Sequence, residues 1–211
     1  MFSLFRTSRK KPVVRLSPPR QQVQFPDAPF GTDWLWQPDI SHQAISPSEF
    51  AHCPKRQSIG DSAVLFHDCE AQEITARQMR DDADDRTDFG LQFEIGKFDG
   101  SFLSLACDFP DTARQDLKKR HVFRFEADLD CPQEISIYAR LNAKHGPNVE
   151  KILQHMGAGS DHISAEFDLA YTQLNIGRLE KIWLDLIFED PAGKIFTLRN
   201  IRLSRRPRAE L

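Results

Sequence analysis

The sequence predicts a mainly β fold: a two-sheet antiparallel sandwich of the jelly-roll or galactose-binding-like type, with short helical turns. Three observations carry this. Four segments in the C-terminal half alternate apolar and polar residues with period two, as strands with one buried face must. Turn residues separate these segments. Strand and helix patterns do not alternate, which excludes a doubly wound parallel sheet. The 211 residues, 40% hydrophobic and 28% charged, suffice for one domain of ordinary size.

The elements begin near residue 61. Ala63–His67 reads as a short buried strand after the Gly60-Asp61 turn, and Glu73–Met79 as a strand or a helix, with strand preferred. Arg80–Asp88, with Asp81, Asp82, Asp84, Asp85 and Asp88, reads as an exposed acidic loop. It lacks the glycine and terminal Glu of an EF-hand, so a calcium site is not expected there. Leu91, Phe93 and Ile95 alternate with Gln92 and Glu94. Ser101–Phe109 is nearly all apolar, as a central strand covered on both faces would be. Asp111–Leu117 reads as a helical turn capped by Asp111. The segments 122–129, 134–141, 163–169 and 182–188 alternate most clearly. In the last, Trp183, Asp185 and Ile187 face away from Ile182, Leu184, Leu186 and Phe188. Glu189–Gly193 reads as a hairpin turn leading to a final strand over 194–203.

This divides the chain into a basic, Pro-rich tail (1–30), an arm packed on the domain (31–60), the sandwich (61–204) and a basic C-terminal tail (205–211). The net charge of −3 conceals an asymmetry. Residues 1–26 carry +6, residues 199–211 carry +4, and the middle carries −13. An acidic domain argues against nucleic acid as a partner, since phosphate contacts need a basic face. The basic N-terminal tail suits a solvated extension. That is the first expectation; the alternatives are contact with an anionic surface or membrane, with Phe2, Leu4 and Phe5 beside Arg and Lys as an interfacial anchor, and a transit peptide, whose acid-free composition it shares. No apolar run approaches the roughly 20 residues of a membrane-spanning helix. The start shows no secretory pattern, and Cys53, Cys69, Cys107 and Cys131 form no CxxC pair, so reduced thiols in a bacterial cytoplasm, with the chain peripheral at the membrane as a variant, are expected.

Several strings are distinctive: LFHDC at Leu65–Cys69, FDGSFLSL at Phe98–Leu105, ARLNAKHGPN at Ala139–Asn148, EFDLAY at Glu166–Tyr171, WLDLIFE at Trp183–Glu189 and RRPRAEL at Arg205–Leu211. Together they resemble a domain-of-unknown-function family of Rhodobacter-type alphaproteobacteria, over about residues 31–211. Members of that family carry a longer Arg-rich helical segment at the front, where this chain has a short Pro-rich one. The resemblance implies a bacterial, non-secreted protein and supplies neither activity nor catalytic residues.

For a site, Arg140, Asn142, Lys144, His145, Asn148 and Glu150 form the strongest polar group, where a strand runs out into the Gly146-Pro147 turn. The Arg, Asn and His donors among them suit a carboxylate, phosphate or sugar. The bland reading has the Asn side chains satisfying the turn and Arg140 and Lys144 pairing with acids. Trp34 and Trp36 share one face of a strand and can stack on a ring or clamp a partner, or else bury the arm. His52-Cys53 and His67-Asp68-Cys69 match no zinc spacing, so no metal is expected, and no cofactor motif is present. Nucleophile motifs are missing too, so catalysis has no support in the sequence. The primary expectation is therefore a non-catalytic sandwich that binds or scaffolds a protein partner or assembly. The alternatives are a carbohydrate-binding-module-like protein with a glycan ligand, and an enzyme with its active site on the sandwich.

Overall fold

The computed structural model describes residues 28–80, 89–157 and 161–208. The acidic loop expected at 80–88 and the tail before residue 28 lie almost entirely outside these residues. Two antiparallel sheets pack face to face. The first runs β11 (His162–Asp168), β8 (His121–Asp130), β13 (Ile195–Pro207), β6 (Phe89–Ile95), β5 (Ile74–Arg80) and β2 (Glu49–Phe50), and β1 (Trp34–Trp36) also pairs with β13. The second runs β10 (Asn148–His155), β9 (Ser136–His145), β12 (Leu179–Glu189), β7 (Leu103–Asp108), β4 (Ala63–His67) and β3 (Arg56–Ile59). From β4 onward the chain repeatedly changes sheet, as in a jelly roll.

Alternation decides the inside. Phe123, Phe125, Ala127 and Leu129 of β8 face Leu184, Leu186 and Phe188 of β12 across the core, with Phe93, Phe167 and Phe196 fully buried among them. Rings of Phe93, Phe188 and Phe196 lie 4.7–5.7 Å apart between centroids. At about 1.5–3 kcal/mol for each large apolar side chain buried, this layer is the main stabilising term.

Several expectations need correction. The 31–60 segment is more than an arm: it supplies β1, β2 and β3 to the two sheets and a four-residue helix, α1 (Asp39–His42). The C-terminal boundary moves. β13 continues through Pro207, and Arg205 is 3% exposed, so 205–207 is sheet and not tail. Glu189–Gly193 does not close a hairpin, because β12 and β13 belong to different sheets. The turn at 146–147 does close one. Gly146 has φ +56 and joins β9 to β10 through a two-residue loop with glycine first, which suits the twist of paired strands. Asp111 starts a 3-10 helix capped by Pro110, without acting as the side-chain cap.

The tryptophans leave the candidate surface. Trp34 is 8% exposed, donates from Nε1 to Thr112 Oγ1 at 3.1 Å, and packs on Phe109 and Phe123. Trp36 stacks beside it against the core. Both rings hold the N-terminal segment down, and no open aromatic pair forms there.

Candidate functional site

The outer faces of the two sheets differ in kind. On the seven-stranded sheet, charged side chains neutralise one another. Glu166 accepts from Arg124 and Arg206 at 3.1–3.2 Å, Arg202 pairs with Glu126 at 3.2 Å, and His162 meets Asp128 at 2.9 Å. Burial pushes the Glu166 carboxyl up, and its two arginines outweigh that and hold it below the usual range.

The six-stranded sheet presents something else. Strand register places Arg140 of β9 beside Asp185 of β12 and Leu153 of β10. One row along, Asn142 stands beside Trp183 and Lys151. One row the other way, Tyr138 stands beside Ile187 and His155, and that row continues through Ser104 to Phe66. Directly opposed residues in an antiparallel sheet share a face. Trp183, Asp185 and Ile187 therefore line one stripe, and Tyr138, Arg140 and Asn142 the next.

The centre of the face is fixed by one carboxylate oxygen. Arg140 donates to Asp185 Oδ2 from Nε at 3.1 Å and from Nη2 at 2.8 Å, and Asn142 Nδ2 donates to the same oxygen at 2.9 Å. Asn142 also donates to the Arg140 carbonyl at 3.0 Å. Asp185 is 6% exposed and Asn142 1%. Among the described residues, Asp185 Oδ1 and Arg140 Nη1 have no partner. Neither atom is sealed from solvent. A fixed acceptor and a fixed donor thus stand side by side.

Around them stand half-buried rings. Trp183 has the Lys181 ammonium 5.7 Å from its ring centre, and Lys181 is held by Asp108 at 2.8 Å. Tyr138 contacts the His155 ring, with centroids 4.8 Å apart. Neither the Trp183 indole N–H nor the Tyr138 hydroxyl has a hydrogen-bond partner among the described residues. At the Tyr138 end, a cavity of about 390 Å³ opens between the β6–β7 and β12–β13 connections. Phe102, Tyr138 and Ile187 form its apolar wall, and Ser101, Glu189 and Asp190 its polar rim.

The group expected at the 140–150 turn is therefore divided. Arg140 and Asn142 lie in the middle of the sheet face, and Lys144 stands on the same face, exposed and paired with Glu180 at 2.7 Å. His145 points to the inner side and is 7% exposed, Asn148 is exposed at the start of β10, and Glu150 accepts from the Gln173 N–H at 3.0 Å. These residues do not converge on one concave loop. Trp183, Asp185, Tyr138 and Ile187 were absent from the expected group. Their signal was available: Trp183 and Tyr138 are aromatic side chains on the polar side of alternating strands.

Residues 10–211 match the DUF6478 family, described as a family of unknown function. The chain belongs to that family. The match takes in residues 10–30, which the sequence resemblance had placed outside. No curated protein sequence matches the chain. Among solved structures it is similar to the family 11 carbohydrate-binding module of Clostridium thermocellum in complex with a β-1,3-1,4-mixed-linked tetrasaccharide, with 12% identity and a TM-score of 0.45, covering 74% of this chain and 97% of that one. It is similar to the CBM22-1 xylan-binding domain of Paenibacillus barcinonensis Xyn10C, with 7% identity and a TM-score of 0.43, covering 76% and 94%. It is also similar to the enzymatically active domain of tailspike protein 4 of bacteriophage CBA120, with 9% identity and a TM-score of 0.47, covering 68% of this chain and only 19% of that one. At such identities and scores these likenesses carry no functional argument, and the site must be argued from its own geometry.

Proposed function

We propose that this member of the family is a non-catalytic carbohydrate-binding protein, with the outer face of the six-stranded sheet as its sugar-contacting surface. One observation carries the reading: Trp183 and Tyr138 flank a pre-ordered Arg140–Asp185–Asn142 cluster in which Asp185 Oδ1 and Arg140 Nη1 have no partner among the described residues. A sugar ring offers apolar C–H faces and hydroxyls that both donate and accept. Aromatic rings with polar ends suit the first need, and a fixed acceptor–donor pair suits the second. Because Asp185 Oδ2 already holds the guanidinium, little side-chain freedom is lost on binding.

A protein partner is the second reading, favoured by a different observation. β10 is the edge of this sheet, and Val149 and Leu153 on its outer side are 40% and 55% exposed. Such an edge suits strand addition.

A glycan array followed by titration calorimetry separates the two. The sugar reading expects binding that Trp183→Ala and Tyr138→Ala each weaken about tenfold or more, the scale of one lost stacking or hydrogen-bonding contact. Substituting Leu153→Asp should matter less. Absence of any glycan ligand, with protein capture lost on Leu153→Asp, would sink the sugar reading and support the other.

A further inference from the structure

We infer that the cavity beside Tyr138 is a terminal subsite, so that the protein recognises the end of a saccharide chain and not its interior. This rests on the sugar-binding reading above and adds a direction to it. A ligand following the stripes of β9 and β12 passes Trp183, then the Arg140–Asp185 pair, then Tyr138 and Ile187. There the face meets the two connections whose residues Gly100, Ser101, Phe102, Asp190, Pro191 and Ala192 line the cavity. At the other end, Lys144 and Lys181 are exposed along the same stripes.

Size and chemistry point the same way. About 390 Å³ lies at the small end of ligand pockets, a size suited to a short unit. The charged groups on its rim are both carboxylates, Glu189 and Asp190, and neither has a protein partner among the described residues. A carboxylate accepts hydrogen bonds and cannot donate them. An interior sugar presents an ether oxygen at each linkage, which also only accepts. A terminal sugar presents a hydroxyl at that position, which can donate to the carboxylate. The rim therefore favours an end over a linkage by turning an acceptor–acceptor contact into a charge-assisted hydrogen bond.

The wall is held open by backbone constraint. A Cβ on Gly100 would stand 2.4 Å from Asp68 Oδ1 and 2.7 Å from the Cys69 nitrogen, so only glycine fits the turn there. Asp68 accepts from Ser101 N and Oγ at 2.7 and 2.6 Å and from Phe102 N at 3.1 Å, fixing the two residues that form one side of the cavity.

The test uses the full chain with β-1,4-linked gluco-, xylo- and galacto-oligosaccharides of increasing length, and with the same sugars methyl-capped at one end or the other. Calorimetry is expected to give one protein per chain at every length. Capping one of the two ends should weaken binding about tenfold or more, the loss expected of one hydrogen bond to a charged group. The Glu189→Gln, Asp190→Asn double variant should bind the free and capped chains alike. If stoichiometry grows with chain length and both caps are tolerated, the terminal subsite is wrong while the sugar reading stands. If none of these sugars nor any on the array binds, both fall. Should the double variant fail to fold, the capped ligands on the unaltered chain still decide the question.

Discussion

Asp33 and Arg205, separated by 172 positions, meet in an ion pair with Arg205 Nε 2.8 Å from Asp33 Oδ1. The Asp33 N–H returns to the Arg205 carbonyl at 2.9 Å. The Arg205 side chain is only 4% exposed, and its Nη1 also donates to the carbonyls of Ala113 and Gln115 at 2.8 and 3.0 Å. One guanidinium thus ties the segment before β1, the 3-10 helix after β7 and the end of β13 to each other. Its five fixed donors explain why Arg stands here, since Lys could not reach all three acceptors in one plane.

Arg205→Ala should therefore destabilise the domain by about 3 kcal/mol, because it leaves Asp33 Oδ1 and two carbonyls without their donor. For a domain of this size that lowers Tm by roughly 6–12 °C. Arg205→Lys should recover only part of the loss. Trp34→Ala should cost about 3–5 kcal/mol through the cavity left against Phe109 and Phe123. Thermal and urea unfolding check both. A Trp34→Ala protein as stable as the parent would mean that the N-terminal segment is not part of the core.

Arg140→Ala tests the centre of the outer face. The Arg140 side chain is 37% exposed, while the Asp185 side chain is 9% exposed, so the substitution strands a nearly buried carboxylate that still has Asn142. The expected loss is about 2 kcal/mol, between that of a surface pair and that of a buried one. Asp185→Ala and the double variant complete a cycle whose coupling should be about 1–2 kcal/mol. A coupling near zero would show that Asp185 does not hold Arg140 in place in solution.

How much of this was legible depended on the strand. The long strands β8, β9, β11 and β12 were readable because their inner positions, such as Phe123, Phe125, Ile137 and Leu184, repeat at period two. β10 escaped, because it is an edge with little burial on either side, and its Val149, Ile152 and Leu153 do not sort by parity. β2 and β3 are too short to show a period. Glu189–Gly193 was recognisable as a turn, but turn chemistry reports a reversal of the chain and not which sheet it enters next. The same limit governed the site. Arg140 and Asn142 stood out as donors, yet Asp185 lies 45 and 43 positions away from them and is brought alongside only by the pairing of β9 with β12.

The thiols make a chemical prediction. All four cysteines are free, and Cys53, Cys69 and Cys107 are buried. Burial pushes the Cys107 thiol up to about 12 and raises Cys53 and Cys131 as well. A thiolate is the reactive form, so an aromatic disulfide reagent at neutral pH should label Cys131 slowly and Cys107 not at all in the folded protein. After unfolding without reductant, four thiols should react. Two fewer would reveal a disulfide in the isolated protein and an oxidising compartment of origin.

Acid should weaken the fold in two stages, and His121 sets the first. Its Nδ1 accepts the Lys118 N–H at 3.0 Å, and its Nε2 lies 3.3 Å from Asp33 Oδ2. Burial lowers its pKa. The neighbouring Asp33 carboxylate opposes that, and Arg205, Arg120 and Lys118 add to it, leaving it below the ordinary value. A histidine depressed in the folded state binds its proton more readily when unfolded, so stability rises with pH across the interval between the two values. The contribution is complete above the unfolded value of about 6.5 and is lost as pH falls from there through the lower folded value. Glu166 and Asp128 set the second stage. Burial raises both, but the arginines around Glu166 and the Asn200 and His162 bonds to Asp128 hold both low. Their stabilisation is present above the unfolded carboxylate range, near 4, and is lost below it. Urea unfolding measured from pH 8 to pH 3 should show a first decline starting near pH 6.5 and a steeper one below about pH 4. His121→Gln should be less stable at pH 8 and should flatten the first decline, leaving the second. If the His121→Gln profile keeps the full first decline, another group is responsible, and His121 is not the acid-sensitive contact between the N-terminal segment and β13.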